Sequence, residues 1–130
     1  MQNRLITRRK GRSRQRGAAM VELALLLPVL TLILFGIVEF GRAFNAKLTI
    51  SHAAREGARE LALTGDPGLA ASTAESAAQP IDPADLTISN TACNSGSPVE
   101  LTVSYDFDFT VPLIGSTPIS MSSTGVMRCE

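Results

Sequence analysis

With 130 residues, the chain has room for one small domain and an anchor. Its formal net charge is zero, yet residues 1–17 hold seven basic residues and no acid, while the remainder carries a net charge of −7. The only histidine is His52, and the sequence offers neither a cluster with metal-ligand spacing nor a nucleophile beside an evident base. We therefore expect no enzymatic activity, no cofactor, no metal and no small-molecule substrate.

Residues 1–17 form a basic leader that stands directly before an apolar run. A basic tail could bind nucleic acid or anionic lipid. Its position favours a different role, the orientation of a membrane segment, because positive residues stay on the cytoplasmic side. We expect a single-pass cell-membrane protein with a cytoplasmic N-terminus, an extracytoplasmic C-terminus and no nucleic-acid partner. Residues 1–16 are polar, so we expect them to be disordered until they meet a membrane or a protease.

Residues 18–41 are predicted to form a transmembrane helix, with the lipid bilayer as partner. From Ala18 to Val38 the sequence carries one charge, Glu22. A helix needs about 20 apolar residues to span a bilayer. The segment is long enough if Glu22 lies near the cytoplasmic interface or is neutralised. Pro28 removes one helical hydrogen bond, which membrane helices tolerate.

The helical pattern continues through residues 42–65, predicted to stand outside the membrane. A mostly apolar stripe recurs at three- and four-residue steps and consists of Phe40, Phe44, Lys47, Leu48, Ile50, Ala54, Gly57, Ala58 and Leu61. Small residues could let another backbone approach closely, or could simply belong to an Ala-rich helix. The small residues in question are Gly36, Gly41, Ala53 and Gly57. The sequence allows one continuous helix to Thr64 or a break near Gly41.

The C-terminal part is predicted to be a small sheet over residues 85–130, after a linker over residues 66–84 with a possible short helix. From residue 99 to residue 111, apolar and polar residues alternate, which is typical of a strand with one buried face. Weaker strand patterns at 86–92 and 119–129 flank it. About three strands give an antiparallel sheet whose apolar face packs on the outer half of the helix. The expected fold class is therefore α+β.

Two cysteines lie in the part expected outside the cytoplasm. An even number of cysteines in an oxidising compartment indicates a disulfide, here Cys93 with Cys129. Strands one and three run the same way in this sheet, so the two cysteines meet at one end. The bond would close a loop of 36 residues and contribute roughly 3–4 kcal/mol to stability.

The loop from Val111 to Gly115 is apolar where loops are normally polar. It could dock onto the helix, touch lipid or meet a neighbouring subunit, and docking on the helix is our expectation.

The sequence predicts a processing site at Gly17, Ala18 and Glu22, where the chain itself is the substrate of a protease. A protease that cuts after Gly17 would leave a new amine on Ala18 and make Glu22 the fifth residue of the mature protein. An ionised carboxylate in lipid is costly alone and tolerable when paired. The ammonium of an adjacent subunit could pair with Glu22 at one axial register only. Alternatively, Glu22 marks the cytoplasmic edge of the span, and its carboxylate reaches the headgroups.

Three blocks, Arg16–Pro28, Phe35–Ala43 and Ala53–Arg59, resemble the TadE-like family, pseudopilins of the tight-adherence (Flp pilus) secretion system. The resemblance implies a pilin-like architecture and cleavage between Gly17 and Ala18 by a prepilin peptidase. It also implies a minor subunit acting in pilus assembly, adhesion or secretion, with other pilin or pseudopilin subunits as partners. The chain departs from related prepilins at Leu23, where an aromatic residue is frequent.

Two other functions stay open at this point. An uncleaved single-pass anchor could present an outer domain that binds a partner or the cell wall. A secreted protein could lose a signal peptide at Gly41-Arg42-Ala43, although the apolar run is longer than a usual signal core.

Overall fold

The computed structural model describes residues 12–112 and 115–130, with side chains from Arg16 onward. Its elements are helix α1 (Arg12–Thr64), helix α2 (Pro67–Ala77), a 3-10 turn (Pro83–Asp85) and strands β1 (Leu86–Asn90), β2 (Pro98–Val111) and β3 (Gly115–Arg128). The predicted α+β class is confirmed: a long N-terminal helix precedes a three-stranded antiparallel sheet. The predictions for residues 1–11 of the leader and for positions 113–114 of the apolar loop lie outside the described residues.

Helix α1 is one continuous element of 53 residues and is about 80 Å long at 1.5 Å per residue. It runs through Gly41 without a break and contains Pro28. It begins at Arg12, so residues 12–16, expected to be disordered, are helical. Arg and Gln favour helices, and extending an existing helix by one residue costs less than nucleating a new one.

Helix α1 ends where α2 begins. Gly65 adopts a positive φ of 67°, a conformation that suits glycine, and its N–H donates to the Leu61 carbonyl at 2.9 Å. Asp66 then caps α2, because its Oδ1 accepts hydrogen bonds from the N–H groups of Gly68 and Leu69 at 2.7 and 3.3 Å. The predicted linker region therefore contains a helix that joins the core, and a cis peptide bond precedes Pro80.

The sheet has the order β1-β2-β3 and is antiparallel throughout. Strands β2 and β3 form a long hairpin, paired from Pro98↔Arg128 to Val111↔Gly115. Strand β1 pairs only with residues 101–105 of β2, so no strand of the described structure lies beside the rest of that β2 edge. Strand β3 starts at Gly115 rather than near residue 119. Pairing with β2 overrides the weak strand propensity of its first residues.

The core lies between the outer half of α1, α2 and one face of the sheet. Its largest fully buried side chains are Ile50, Leu61, Leu101, Val99, Val103 and Cys129. The predicted alternation along β2 agrees with this burial. The predicted helical stripe is partly wrong, because Phe44 and Leu48 are 67% and 55% exposed. At 100° per residue they lie roughly 100° or more around α1 from Ile50 and Leu61, beyond the width that the sheet covers.

Strand β3 crosses α1 at very close range. Gly125 is buried, and a Cβ at this position would collide with the backbone carbonyl of Ala54 and come within 3.0 Å of the Ala58 Cβ. The absence of a side chain therefore allows the strand to rest directly on the helix backbone.

Candidate functional site

The N-terminal half of α1 is a bare apolar surface. Every large apolar side chain from Met20 to Val38 is between 42% and 73% exposed. By length and composition this helix could cross a membrane, and none of its apolar window is buried in the fold. Soluble proteins rarely expose a contiguous apolar surface of this size, so it marks a contact with a membrane or with other proteins.

The residues of the predicted processing site lie on this bare surface. Gly17, Ala18 and Glu22 are helical and exposed. A Cβ added at Gly17 would meet nothing within 4 Å. No described part of the sheet or of α2 covers these positions, so they are open to another molecule.

Glu39 stands at the junction between the bare half of α1 and the half that carries the sheet. The residue as a whole is only 7% exposed. Its Oε1 accepts a hydrogen bond from Arg42 Nη1 at 2.6 Å, and its Oε2 accepts one from the backbone N–H of Thr110 at 3.2 Å. Thr110 lies on the β2 edge that β1 does not reach. Glu39 thus supplies the acceptor that a strand would otherwise provide.

Aromatic contacts reinforce this junction. The rings of Phe40 and Phe109 meet edge to face with centroids 5.7 Å apart. The guanidinium carbon of Arg42 lies 5.4 Å from the ring centroid of Phe107, a cation–π distance. Further along α1, Lys47 Nζ donates to the carbonyl of Ser122 on β3. These contacts hold the β2–β3 hairpin alongside the helix.

The end of β2, with Pro112 after it, faces the bare half of α1. Val111 and Pro112 are half-buried. With Phe109 and Thr110 they close a cavity of about 120 Å³, whose opposite wall is formed by Leu32, Phe35, Gly36 and Glu39. The described part of the apolar loop therefore faces the helix across this cavity, at a level that belongs to the predicted membrane span.

The four small residues singled out from the sequence separate into two pairs. Ala53 and Gly57 are buried within the chain, and a Cβ on Gly57 would lie 2.9 Å from the Ala74 Cβ of α2. A Cβ on Gly36 or Gly41 would meet nothing within 4 Å. Gly36 already lines the cavity opposite Val111 and Pro112, so of the four residues only Gly41 is free to receive another backbone.

A disulfide joins Cys93 and Cys129, with Cα atoms 5.7 Å apart. It lies at the end of the sheet away from the hairpin turn. The backbone of Cys129 also bonds to the turn before β2, donating to Ser97 O at 3.0 Å and accepting from Gly96 N at 2.9 Å. His52 is exposed on α1. Among the described residues, no group of His, Cys, Asp or Glu could hold a metal ion.

Sequence reasoning missed Glu39 as a residue of the site. The available signal was an acid at the end of an uncharged run, with Arg42 three residues later, a spacing that places both on one helix face. The partner that makes Glu39 important, Thr110, lies 71 residues away and has no sequence signature.

These features define the class: an α+β protein with one long helix, bare and apolar in its first half and covered by a small antiparallel sheet in its second. Sequence comparison finds a family likeness for part of the chain. Residues 17–59 match the family model described as TadE-like protein, which confirms the resemblance and identifies this stretch as TadE-like. The match begins at Gly17 and lies within α1, short of α2 and the sheet.

TadE-like proteins are a pilus-related structural family, so the match supports a role related to the Tad pilus and a membrane-anchored helix. No curated protein and no solved structure matches the chain at a significant level.

Proposed function

We propose that this chain is a minor pseudopilin. It is inserted with its N-terminus in the cytoplasm, cleaved between Gly17 and Ala18 by a prepilin peptidase, and joined to other pilin or pseudopilin subunits. In this role it serves assembly of a Tad pilus, adhesion or secretion. The observation that carries the proposal is the position of Gly17 and Glu22, five residues apart on the bare end of α1 and inside the TadE-like match.

The orientation rests on the leader. Its seven basic residues stand before the span, and the part beyond the leader is acidic overall. Positive charge near a span stays in the cytoplasm, and an Arg or Lys at the centre of a membrane helix costs about 2.5–3.5 kcal/mol on the insertion scale. Keeping the leader inside avoids moving these charges across the bilayer.

Glu22 has a role in this proposal that requires cleavage. Removal of the leader creates an ammonium group on Ala18, and the ammonium of one subunit pairs with Glu22 of its neighbour. Removing one partner of an ion pair buried in a protein costs about 3–5 kcal/mol, and an unpaired charge is also costly in lipid, so the paired arrangement is favoured. The pair therefore sets the axial stagger between subunits.

The first test is the N-terminus of the mature chain, measured by mass spectrometry on protein recovered from its native membrane. A chain that begins at Ala18 supports the proposal. Gly17→Leu should then accumulate the uncleaved form, whereas Gly41→Leu, at an open glycine of the same helix, should be processed normally.

Two results would contradict the proposal. A native chain that keeps its leader would describe an uncleaved anchor whose outer domain binds a partner. A native chain that begins at Phe44 would describe a secreted protein.

A second test separates assembly from insertion. Glu22→Ala should lower recovery of the chain in the assembled fraction by at least about tenfold, because the neighbour's ammonium loses its partner. Its membrane insertion, measured by resistance to alkaline extraction, should not change. The matched control Glu22→Asp keeps the carboxylate and should retain more assembly than alanine. If Glu22→Ala impairs insertion and assembly equally, Glu22 only marks the cytoplasmic edge of the span and does not pair with a neighbouring subunit.

A further inference from the structure

We propose that the turn region of the β2–β3 hairpin is a second membrane contact, which inserts into the outer leaflet beside α1. We define the hairpin tip as residues 109–112 and 115–117. The inference rests on the proposed membrane insertion of α1, and it adds a lipid-binding surface on the sheet, which the TadE-like match does not cover.

The depth of the tip follows from the α1 residues that it faces. Val111 and Pro112 line a cavity whose opposite wall includes Leu32 and Phe35. If residues 19–38 fill the hydrocarbon core of about 30 Å, Leu32 lies roughly 9 Å inside its outer boundary and Phe35 roughly 4–5 Å inside, at 1.5 Å per residue. Val111 and Pro112 lie at this level, whereas Phe109 and Thr110, which contact Phe40 and Glu39, lie near the outer boundary.

The alternative placement, with the tip above the lipid, conflicts with the charges of the chain. It would put the outer boundary near Leu32, and a span of about 20 residues would then reach back to residue 13. That span would contain Arg14 and Arg16, which the deeper placement leaves outside the core. After cleavage it would hold the Ala18 ammonium inside the core with no residue before it to reach water. Buried charges of this kind are costly in a membrane, so the deeper placement of the tip is favoured.

The chemistry of the tip suits this environment. From residue 109 to residue 120 the sequence carries no charge, and the nearest acids on β2, Asp108 and Asp106, are exposed. At about 3.3 Å per strand residue, Asp108 lies roughly 10–13 Å from the turn, close to the depth deduced from α1.

Lipid offers no water to backbone polar groups, so each one needs a partner, and part of the tip backbone has one in the described structure. The ladder pairs β2 with β3 to the last residues, Val111 and Gly115. The outward N–H of Thr110 donates to Glu39, and Pro112 has no N–H. The membrane would then hold the chain at two points, α1 and the hairpin tip. This attachment would prevent α1 from rotating about its axis, and the helix face opposite the hairpin would stay available to neighbouring subunits.

The chain contains no tryptophan, so one introduced Trp is a unique fluorescent reporter. We would reconstitute the full-length chain in phosphatidylcholine vesicles, with and without bromine on the lipid chains, and measure quenching. Ser116→Trp reports on the tip. Ser89→Trp, an equally exposed serine on β1 toward the other end of the sheet, is the matched control, and Leu30→Trp reports on the span. Thr117→Trp is a second tip reporter in case Ser116→Trp does not fold.

The expected result is loss of emission from the Trp at the tip and in the span in brominated lipid, with no loss at Ser89. If Leu30→Trp is quenched but both tip reporters behave like Ser89→Trp, the proposed insertion of the hairpin tip is wrong, and the proposed membrane insertion of α1 is supported. If Leu30→Trp is not quenched, α1 is outside the bilayer and both proposals fail. A tip emission that is blue-shifted, insensitive to bromine and dependent on protein density would assign the tip to a neighbouring subunit instead.

Discussion

The carboxylate of Glu39 on α1 accepts a hydrogen bond from the backbone N–H of Thr110 on β2, with 3.2 Å between Oε2 and N. The second oxygen of this carboxylate binds Arg42. The contact joins helix and sheet at the place where α1 passes from its bare half to its covered half. It also closes a strand edge that no other strand in the described structure pairs with, and an unpaired edge is a site for unwanted association.

Glu39→Leu should expose the Thr110 amide, because it removes the acceptor of that N–H. Glu39→Gln keeps an acceptor oxygen and removes only the charge. Hydrogen exchange in detergent should therefore show faster exchange of Thr110 in the leucine variant than in the glutamine variant. Val103, which lies between β1 and β3 in the sheet, is the internal control. If the Thr110 amide exchanges at the same rate in the leucine variant and in the wild type, Glu39 does not protect this edge of β2.

Gly57→Ala should lower the free energy of unfolding by about 1–3 kcal/mol, the usual cost of overpacking a core. The added Cβ would lie 2.9 Å from Ala74 Cβ, 3.0 Å from Leu101 Cδ1 and 3.1 Å from the Ala70 carbonyl oxygen. Chemical denaturation in detergent measures this change.

The matched control for Gly57 is Gly41→Ala on the same helix, where the added Cβ meets open space. It should be neutral or stabilise by up to about 1 kcal/mol, since alanine favours helix over glycine. Equal effects of the two substitutions would contradict the packing seen at Gly57.

Cys93→Ala should destabilise the outer domain by roughly 3–4 kcal/mol, because it reopens a loop of 36 residues in the unfolded chain. Addition of reductant should lower the free energy of unfolding of the wild type by a comparable amount, which is seen as a lower denaturation midpoint. The reductant should not affect Cys93→Ala, which serves as the control. An oxidised and a reduced wild type that unfold at the same denaturant concentration would argue against a stabilising disulfide.

Asp66→Ala should cost about 0.5–2 kcal/mol, because two N–H groups at the start of α2 lose their acceptor. Asp66→Asn retains an acceptor oxygen and should stay close to wild type in the same denaturation experiment. An asparagine variant as unstable as alanine would show that the charge, rather than the cap, is what matters.

Local patterns predicted much of this fold. The apolar run and the helical spacing predicted α1, and the alternation from residue 99 to residue 111 predicted β2 and its buried face. These signals are readable because helices and strands repeat every 3.6 and every 2 residues. The pairing of Cys93 with Cys129 was also predictable, because three antiparallel strands bring both to one end.

Contacts between distant residues were not predictable in this way. Phe44 and Leu48 belong to the helical stripe by spacing, yet they are exposed, because the width of the sheet determines how much of the stripe is covered. The docking of β3 at Gly125 and of α2 at Gly57 depends on clearances too small for a Cβ, which would lie 2.2 Å from the Ala54 carbonyl oxygen and 2.9 Å from the Ala74 Cβ. No periodicity encodes such clearances.

The sequence by itself determined the elements, the basic leader and the apolar span with Glu22, because composition and period are local properties of the chain. Only the tertiary structure decided which face of α1 is covered and at which glycines neighbouring atoms leave no room for a Cβ. It also placed Val111 and Pro112, beside the hairpin turn, opposite Leu32 and Phe35. It also brought Glu39 to Thr110. The physical reason is that these features depend on the distance and angle at which separate elements pack, which residues far apart in the sequence set jointly.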